Sequence, residues 1–400
     1  METEKVNKTE ANTNVGKSNT EKQLTKKAIS LETFVVLGCV LLLFGYLGKV
    51  MGLDIVFSVM MKTGHDVLMN TSFYIMAVAI LAGALAAILS EFGVVALVNK
   101  LVSRVMRPLF GLPGASALGA VTTYTSDNPA ILSLAADEGF NRYFTKAEKA
   151  TYANLGTTFG MGLIVTAYML SLGREYFSAV LIGNIAAIVG GIVSVRLMLY
   201  FAKKHYKEDR KYRIDESSVE GLNIRKIRRG SMFERLMSSM MDGAKSGVQL
   251  GLSCASGTVL ICTMVMILTF GPAGDSGEYL GVAYEGVQLL PRIGEYFLPI
   301  SNLLWGFDVP ELLAFPFTAL GAVGSAMGLT SGFIDAGFAS ARTVATFTGM
   351  GICLSGFLST HMGMLDTLKQ NHFAKQAILC HLAGGAVAGC VANYLYLLLI

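Results

Sequence analysis

The chain has 400 residues, of which 53% are hydrophobic and only 15% charged, against about 25% charged in soluble domains. Its formal net charge of +4 comes from basic residues gathered beside apolar stretches, the distribution that orients membrane spans, so it does not point to nucleic acid. Runs of roughly 18 or more apolar residues, long enough for a hydrocarbon core of ~30 Å, make this a polytopic membrane protein.

Residues 1–29 are polar and nearly free of aromatics, a composition that cannot fold alone and predicts a disordered cytoplasmic tail. Residues 30–71 hold a first span, Phe34–Val50, kept because no small-residue cleavage site follows. Within the same unit Asp54–Asn70 reads as a separate amphipathic segment. Residues 72–202 form a first repeat, beginning with a small-residue span at 72–90. An interfacial helix over Gly93–Phe110 follows, with Asn99, Lys100, Arg104 and Arg107 at helical spacing. After it Thr122 to Pro129 interrupt an apolar run, and spans are predicted at Ala150–Leu170 and Phe177–Phe201. Residues 203–246 are the one long basic loop, hence cytoplasmic. Residues 247–400 form a second repeat. It holds a span at Val248–Phe270, a Lys/Arg-poor and therefore external region at 271–310, a polar-interrupted stretch at Glu311–Gly337, and spans at Arg342–Leu358 and Gln376–Leu399.

With the basic loop inside, the spans on either side fix the direction of the rest. The stretch 115–135 must then enter and leave from one side, and 311–337 from the other. Short words recur in the same order in both halves. Ala117–Val121 matches Ala319–Val323, Gly160-Met161-Gly162 matches Gly349-Met350-Gly351, and Val189 and Gly191 match Val387 and Gly389. The expected fold is an all-α polytopic membrane protein with an inverted-topology repeat. It has about seven full spans, two re-entrant hairpins with discontinuous helices, an internal N-terminus and an external C-terminus.

The run Arg-Pro-Leu-Phe-Gly-Leu-Pro-Gly (107–114), followed by a polar-broken helix and a charged turn into a Gly-rich span, resembles the nucleoside-recognition or Gate-domain family. Relatives of that family include concentrative nucleoside transporters, ethanolamine permeases, the gates of ferrous-iron transport protein B and spore-maturation membrane proteins. The likeness covers roughly 72–200 and, more faintly, 248–400. Ser126-Asp127-Asn128-Pro129 stands where concentrative nucleoside transporters carry a Gln-Thr-Glu-type element. Where many Gate proteins have Ser-Gly-Tyr-Pro, Ser126 and Pro129 match. The resemblance implies membrane transport, with nucleosides or amines as candidate cargo.

A carboxylate, an amide and a proline at membrane depth mark either a site or a structural partner, because lipid satisfies none of them. Asp127 is therefore expected to bind a cation or substrate amine. Thr125, Ser126 and Asn128 would present hydroxyl and amide groups to a polar solute, and the backbone freed at Pro129 would reach a coupling ion. Asn154, Thr157 and Thr158 would face the same cavity or bond between helices. Thr330, Ser331 and Asp335 are the expected counterparts in the second hairpin. His361, with Asp366, His372 and His381 nearby, invites a metal hypothesis, but no HExxH-type spacing supports it and no metal site is expected. The six cysteines, Cys39, Cys254, Cys262, Cys353, Cys380 and Cys390, lack CxxC or ligand spacing and read as packing residues. No GxxxxGK phosphate loop is present, which argues against ATP-driven transport. The expected function is secondary transport of a small polar solute, coupled to sodium or protons, in the inner or plasma membrane. No cofactor is expected beyond a sodium ion, and no catalytic residue. The expected partners are the lipid bilayer and another copy of the chain. A non-transporting gate subunit is the alternative, and an intramembrane metal-dependent hydrolase a more distant one.

Overall fold

The computed structural model describes residues 28–126, 128–141, 143–207, 227–274 and 276–400. Asp127, Asp275, most of the polar tail and the middle of the basic loop lie outside the described residues. Among the described residues six helices are long and apolar enough to cross a membrane. The protein is all-helical and multi-pass.

Helix α1 (Leu31–Met51) meets the rest only near its end, where Leu47 and Met51 are buried. Helices α2 (Leu53–Asp66) and α3 (Phe73–Glu91) are joined by a π-helical turn, Val67–Ser72, into one 39-residue helix. The segment 54–70 is thus the first part of a span and not a separate amphipathic element. Its polar residues escape lipid by bonding a loop: Lys62 Nζ and Ser58 Oγ donate to the Gly281 carbonyl at 2.6 and 2.9 Å, and the Tyr284 hydroxyl donates to Asp66.

Helix α4 (Val94–Val105) is the expected amphipathic helix, and a π turn over Met106–Phe110 ends it at Gly111, which is left-handed with φ 75°. The freed carbonyls of Pro108 and Leu109 accept from the Arg196 guanidinium, and Arg107 sits 3.5 Å from Glu148. The 107–114 motif is therefore a knot that ties the interfacial helix to the first repeat.

That repeat continues through α5 (Ser116–Thr125), α6 (Asn128–Ala136), α7 (Glu138–Asn141), α8 (Lys146–Thr157), α9 (Gly162–Ser171) and α10 (Phe177–Tyr206). The second contains α11 (Met232–Thr269), α12 (Leu289–Gly294), α13 (Leu298–Trp305), α14 (Ala314–Gly321), α15 (Val323–Asp335), α16 (Ala341–Leu354), α17 (Ser359–Thr367) and α18 (Ala374–Leu399). Helix α11 begins well inside the segment expected to be loop, because Ser231 and Glu234 close a capping box there. At 38 residues it is about 57 Å long, so it must tilt or project beyond a ~30 Å core.

Two further spans differ from expectation. The one at 150–170 is interrupted between α8 and α9, and the one at 342–358 ends at Leu354, with a turn before α17. Helix α17 occupies much of what was expected to be a connecting loop.

Close backbone approaches hold the bundle. Cβ atoms placed on Gly83 and Gly384 would lie 2.6 Å from the carbonyls of Gly243 and Gly190 respectively. The first contact locks α3 on α11 and the second locks α10 on α18. Arg228 and Arg235 clamp the buried Glu91 at 2.9 and 2.7 Å, fastening the same end of α3 to α11. In the first half α5 packs on α8 and α6 on α17; in the second, α14 packs on α16 and α15 on α9. The first hairpin thus leans one arm on each half, whereas α15 of the second rests mainly on α11 of its own half and only lightly on α9.

The structural register of that repeat is not the one the sequence words suggest. Ser126 corresponds to Ala322, the 158–161 turn to the 355–358 turn, and Gly190 to Gly384, a constant spacing to within a helical turn. Gly349–Gly351 lies inside α16, whereas Gly160 lies in a break.

The loop between α11 and α12 folds around Glu285, which is 0% exposed and accepts backbone N–H bonds from Ala273, Leu280 and Val282 at 3.1, 2.7 and 3.0 Å. Burial pushes its carboxyl up, but the backbone donors more than reverse this, leaving the pKa below the ordinary value.

A Cβ at Gly247 would lie 2.6 Å from Ile80 Cα, so Gly247→Leu should cost about 1–3 kcal/mol in detergent unfolding. Gly38→Ala, with no atom within 4 Å, should be neutral or slightly stabilising. For Glu285, a depressed folded pKa adds stability that is complete above the unfolded value of about 4.3 and disappears as pH falls through the folded one. Glu285→Gln should flatten that acid limb and cost about 1–3 kcal/mol at pH 7, read from unfolding curves against pH.

Candidate functional site

Four helices of the bundle are interrupted, and two of the breaks meet. Helix α5 stops at Ser126, whose hydroxyl donates to the Thr122 carbonyl at 2.7 Å. Helix α14 stops at Ala322, in extended conformation, before α15 departs. Helix α8 stops at Thr158, and the chain passes through Phe159 and Met161 at φ 71° and 54° before α9. Helix α16 gives way through Ser355 and Gly356 to Leu358 at φ 61°. Left-handed residues other than glycine cost of order 1–3 kcal/mol each and persist only where the surroundings over-determine them.

Here the surroundings are the two broken helices themselves. The Phe159 N–H donates to the Ile352 carbonyl and the Gly356 N–H donates to the Thr157 carbonyl, both at 3.1 Å. The crossing is reciprocal, so each break satisfies the backbone the other exposes. A Cβ on Gly356 would lie 3.0 Å from both Cα and the carbonyl oxygen of Thr157. Glycine is what lets the strands approach.

Beside the crossing lies a buried polar chain. Asn154 Nδ2 donates to Ser194 Oγ and to the Ala377 carbonyl, both at 3.0 Å. Ser194 Oγ lies 3.1 Å from His381 Nδ1, and Thr157 Oγ1 lies 3.1 Å from His361 Nε2. His361 therefore stands with His381, not with Asp366, which is exposed and bonded to Asn371 at 2.9 Å. Among the described residues no three His, Cys, Asp or Glu side chains are placed to hold a metal ion.

A cavity of about 600 Å³ opens between α3, α5 and α11, with Ile164 of α9 on its rim. Ala79, Gly83, Gly243 and Gly247 give it room because they carry little or no side chain. Thr122, Thr125, Ser126, Ser246, Gln249 and Ser253 line it with hydroxyls and one amide. No charged side chain lines it among the described residues. Its size falls in the range of small-molecule sites, and its lining suits a neutral polar ligand.

The residues singled out by sequence are distributed over three places. Thr125 and Ser126 face the cavity, and Asn128 and Pro129 open α6 just past the break. Asn154, Thr157 and Thr158 belong to the buried chain at the crossing. Thr330, Ser331 and Asp335 are not at the second hairpin's tip, which is Ala322, but on its returning arm. There Thr330 is buried, Ser331 lies near Tyr168 on α9, and Asp335 is exposed at the helix end. Two signals could have located the crossing: the Thr-Thr-Phe-Gly-Met-Gly run at 157–162, and Ser355-Gly356 inside an apolar span. Nothing in the sequence pairs His361 with His381.

The comparison with solved structures falls on this arrangement. A substituted form of CNTnw, a concentrative nucleoside transporter, in an outward-facing state aligns with a TM-score of 0.52 at 16% identity, covering 92% of this chain and 86% of that one. The fold is shared with a nucleoside transporter. CNTnw in an inward-facing, substrate-bound state aligns equally well, with a TM-score of 0.52 at 15% identity over 92% of this chain and 93% of that one. An uncharacterized protein of Alkalihalophilus pseudofirmus is 25% identical over 240 residues, 58% of this chain and 48% of its own length. The chain thus spans about half the length of that curated relative. The sequence matches no protein-family model.

The crossing makes a direct prediction. Gly356→Val should separate the two breaks and destabilise the protein by about 1–3 kcal/mol. Thermal unfolding in detergent would show the loss, and hydrogen exchange would show the backbone amides of Phe159 and position 356 opening first.

Proposed function

We propose that this chain is a secondary transporter of a small, neutral, hydroxyl-bearing solute of nucleoside size, working by alternating access in the cell membrane with its N-terminus inside. The observation that carries this reading is the cavity of about 600 Å³ at the broken tip of α5, in a chain whose fold is that of a nucleoside transporter. A solute held there would touch Thr125 and Ser126 on the hairpin and Gln249 on α11. These residues lie on different helices facing one cavity. Asp127, next along the chain from Ser126, is assigned to solute or cation binding at the same tip. Thr125 and Ser126 already bond backbone carbonyls through their hydroxyls, so their free lone pairs would accept from the solute. A bound solute stabilises the closed form only to the extent that it touches both helices, which is how occupancy would drive closure.

The test is uptake by the full chain reconstituted in liposomes, with radiolabelled uridine as first probe and other neutral polar solutes alongside. Saturable uptake is expected. Gln249→Leu should weaken apparent affinity about tenfold, the worth of one hydrogen bond to a neutral group. Asp127→Asn should abolish ion-dependent uptake while leaving membrane insertion intact. Absence of uptake for every solute by correctly inserted protein would overturn the reading.

A further inference from the structure

The transport reading leaves unused the two histidines beside the crossing. His361 on α17 and His381 on α18 are each 0% exposed, with ring centroids 4.6 Å apart and planes at 76°. Their hydrogen-bond partners allow a consistent placement of the protons. Thr157 Oγ1 has a single proton, and we place it on the carbonyl of Ala153 or Asn154, at 3.0 and 3.1 Å, because a carbonyl can only accept whereas a ring nitrogen can donate. With that placement it accepts from His361 Nε2 at 3.1 Å, and Nε2 carries the ring proton. That leaves His361 Nδ1 as a basic lone pair. It is buried and has no donor among the described residues.

His381 is settled differently. Ser194 Oγ accepts from Asn154 and spends its own proton on His381 Nδ1. Nε2 of that ring faces the Cys353 backbone carbonyl without a well-formed hydrogen bond. Of the pair, only His361 has a vacant basic nitrogen. The titratable groups on the surrounding elements are Tyr152 on α8, Cys353 on α16, and Cys380 beside His381 on α18. Glu148, at the start of α8, is paired with Arg107, and Asp366 on α17 points to Asn371. None of the ion pairs among the described residues reaches either ring.

We propose that His361 Nδ1 is a proton-binding site, with His381 as its partner, and that solute movement by this chain is linked to a proton taken up there. This rests on the transport reading above. Binding converts one neutral imidazole into a cation, with the proton drawn from the aqueous phase on whichever side the crossing opens. A second proton on His381 is opposed by the charge 4.6 Å away, so the pair holds one. An unpaired charge in a packed apolar core is costly. Proton occupancy therefore favours a form in which water or a carboxylate reaches Nδ1, and loss of the proton favours the packed crossing. Thr157 is the mechanical link. Its hydroxyl bonds His361, and its carbonyl accepts the Gly356 N–H that ties the two breaks together.

Two measurements on the full chain test this. The first is an imidazole ¹⁵N titration in nanodiscs, with His361 and His381 assigned by His361→Gln and His381→Gln. The expected result is that His361 takes up a proton at Nδ1 while the protein remains folded, and that His381→Gln shifts its midpoint. If both rings keep neutral shifts down to the lowest pH at which the protein stays folded, the proposal is overturned, whatever is transported. The second uses liposomes loaded with a pH-sensitive dye and given uridine. An inward proton gradient should accumulate uridine by up to about tenfold per pH unit for one proton per solute, with lumenal acidification. His361→Gln, checked for folding by thermal unfolding, should remove the acidification. Uridine uptake with no proton movement would overturn the linkage and leave the transport reading standing. No uptake of any solute would end the transport reading and the linkage together, while the titration would still decide the proton site.

Discussion

A broken helix inside a membrane leaves N–H and C=O groups that lipid cannot satisfy, and each unsatisfied group costs several kcal/mol. In this protein the cost is met at one place. The interruption after Thr157 and the interruption after Leu354 lie across one another, and each supplies the hydrogen bond the other lacks. Neither break is tenable alone. The left-handed residues Phe159, Met161 and Leu358 persist because the crossing holds them.

The rest of the bundle can be understood as support for that crossing. Glycine contacts bring α10 onto α18 and α3 onto α11, so that backbones meet where side chains would hold them apart. The hairpins α5–α6 and α14–α15 each touch both halves. Charge is kept at the periphery: Arg196 and Arg107 secure the interfacial helix, and Glu91 with its two arginines secures the end of α3. The interior keeps neutral polar groups, hydroxyls, amides and imidazoles, whose bonds can be exchanged at lower cost than ion pairs. A bundle that must change shape around a cargo needs groups of that kind.

The cavity and the histidine chain lie on either side of the first broken helix. Tyr124 ties that helix to its neighbours. It stands on α5 between the cavity-lining Thr122 and Thr125, its hydroxyl bonds Thr166 on α9 and Asn184 on α10, and its ring lies against Gly162 at the start of α9. A single aromatic side chain thus ties the cavity-lining helix to α9 and α10.

Much was decided by sequence alone. Apolar length and charge placement were enough for a multi-pass helical membrane protein, and Ser126–Pro129 marked the first hairpin's break, because proline and a carboxylate have no other tenable reading at that depth. The paired sequence words indicated a repeat but misplaced its register by about one to two helical turns, since small residues recur in membrane helices wherever backbones touch. The tip of the second hairpin, at Ala322, carries no polar mark at all, so Thr330 and Ser331 drew attention away from it. The breaks at 158–161 and 355–358 are held by their mutual hydrogen bonds, and the glycines that mark them in the sequence do not say which break meets which. His361 and His381 are twenty positions apart on different helices, with nothing in their spacing to join them. Partnership of that kind belongs to tertiary structure, because it depends on which carbonyls and side chains are left unsatisfied once the two halves have crossed.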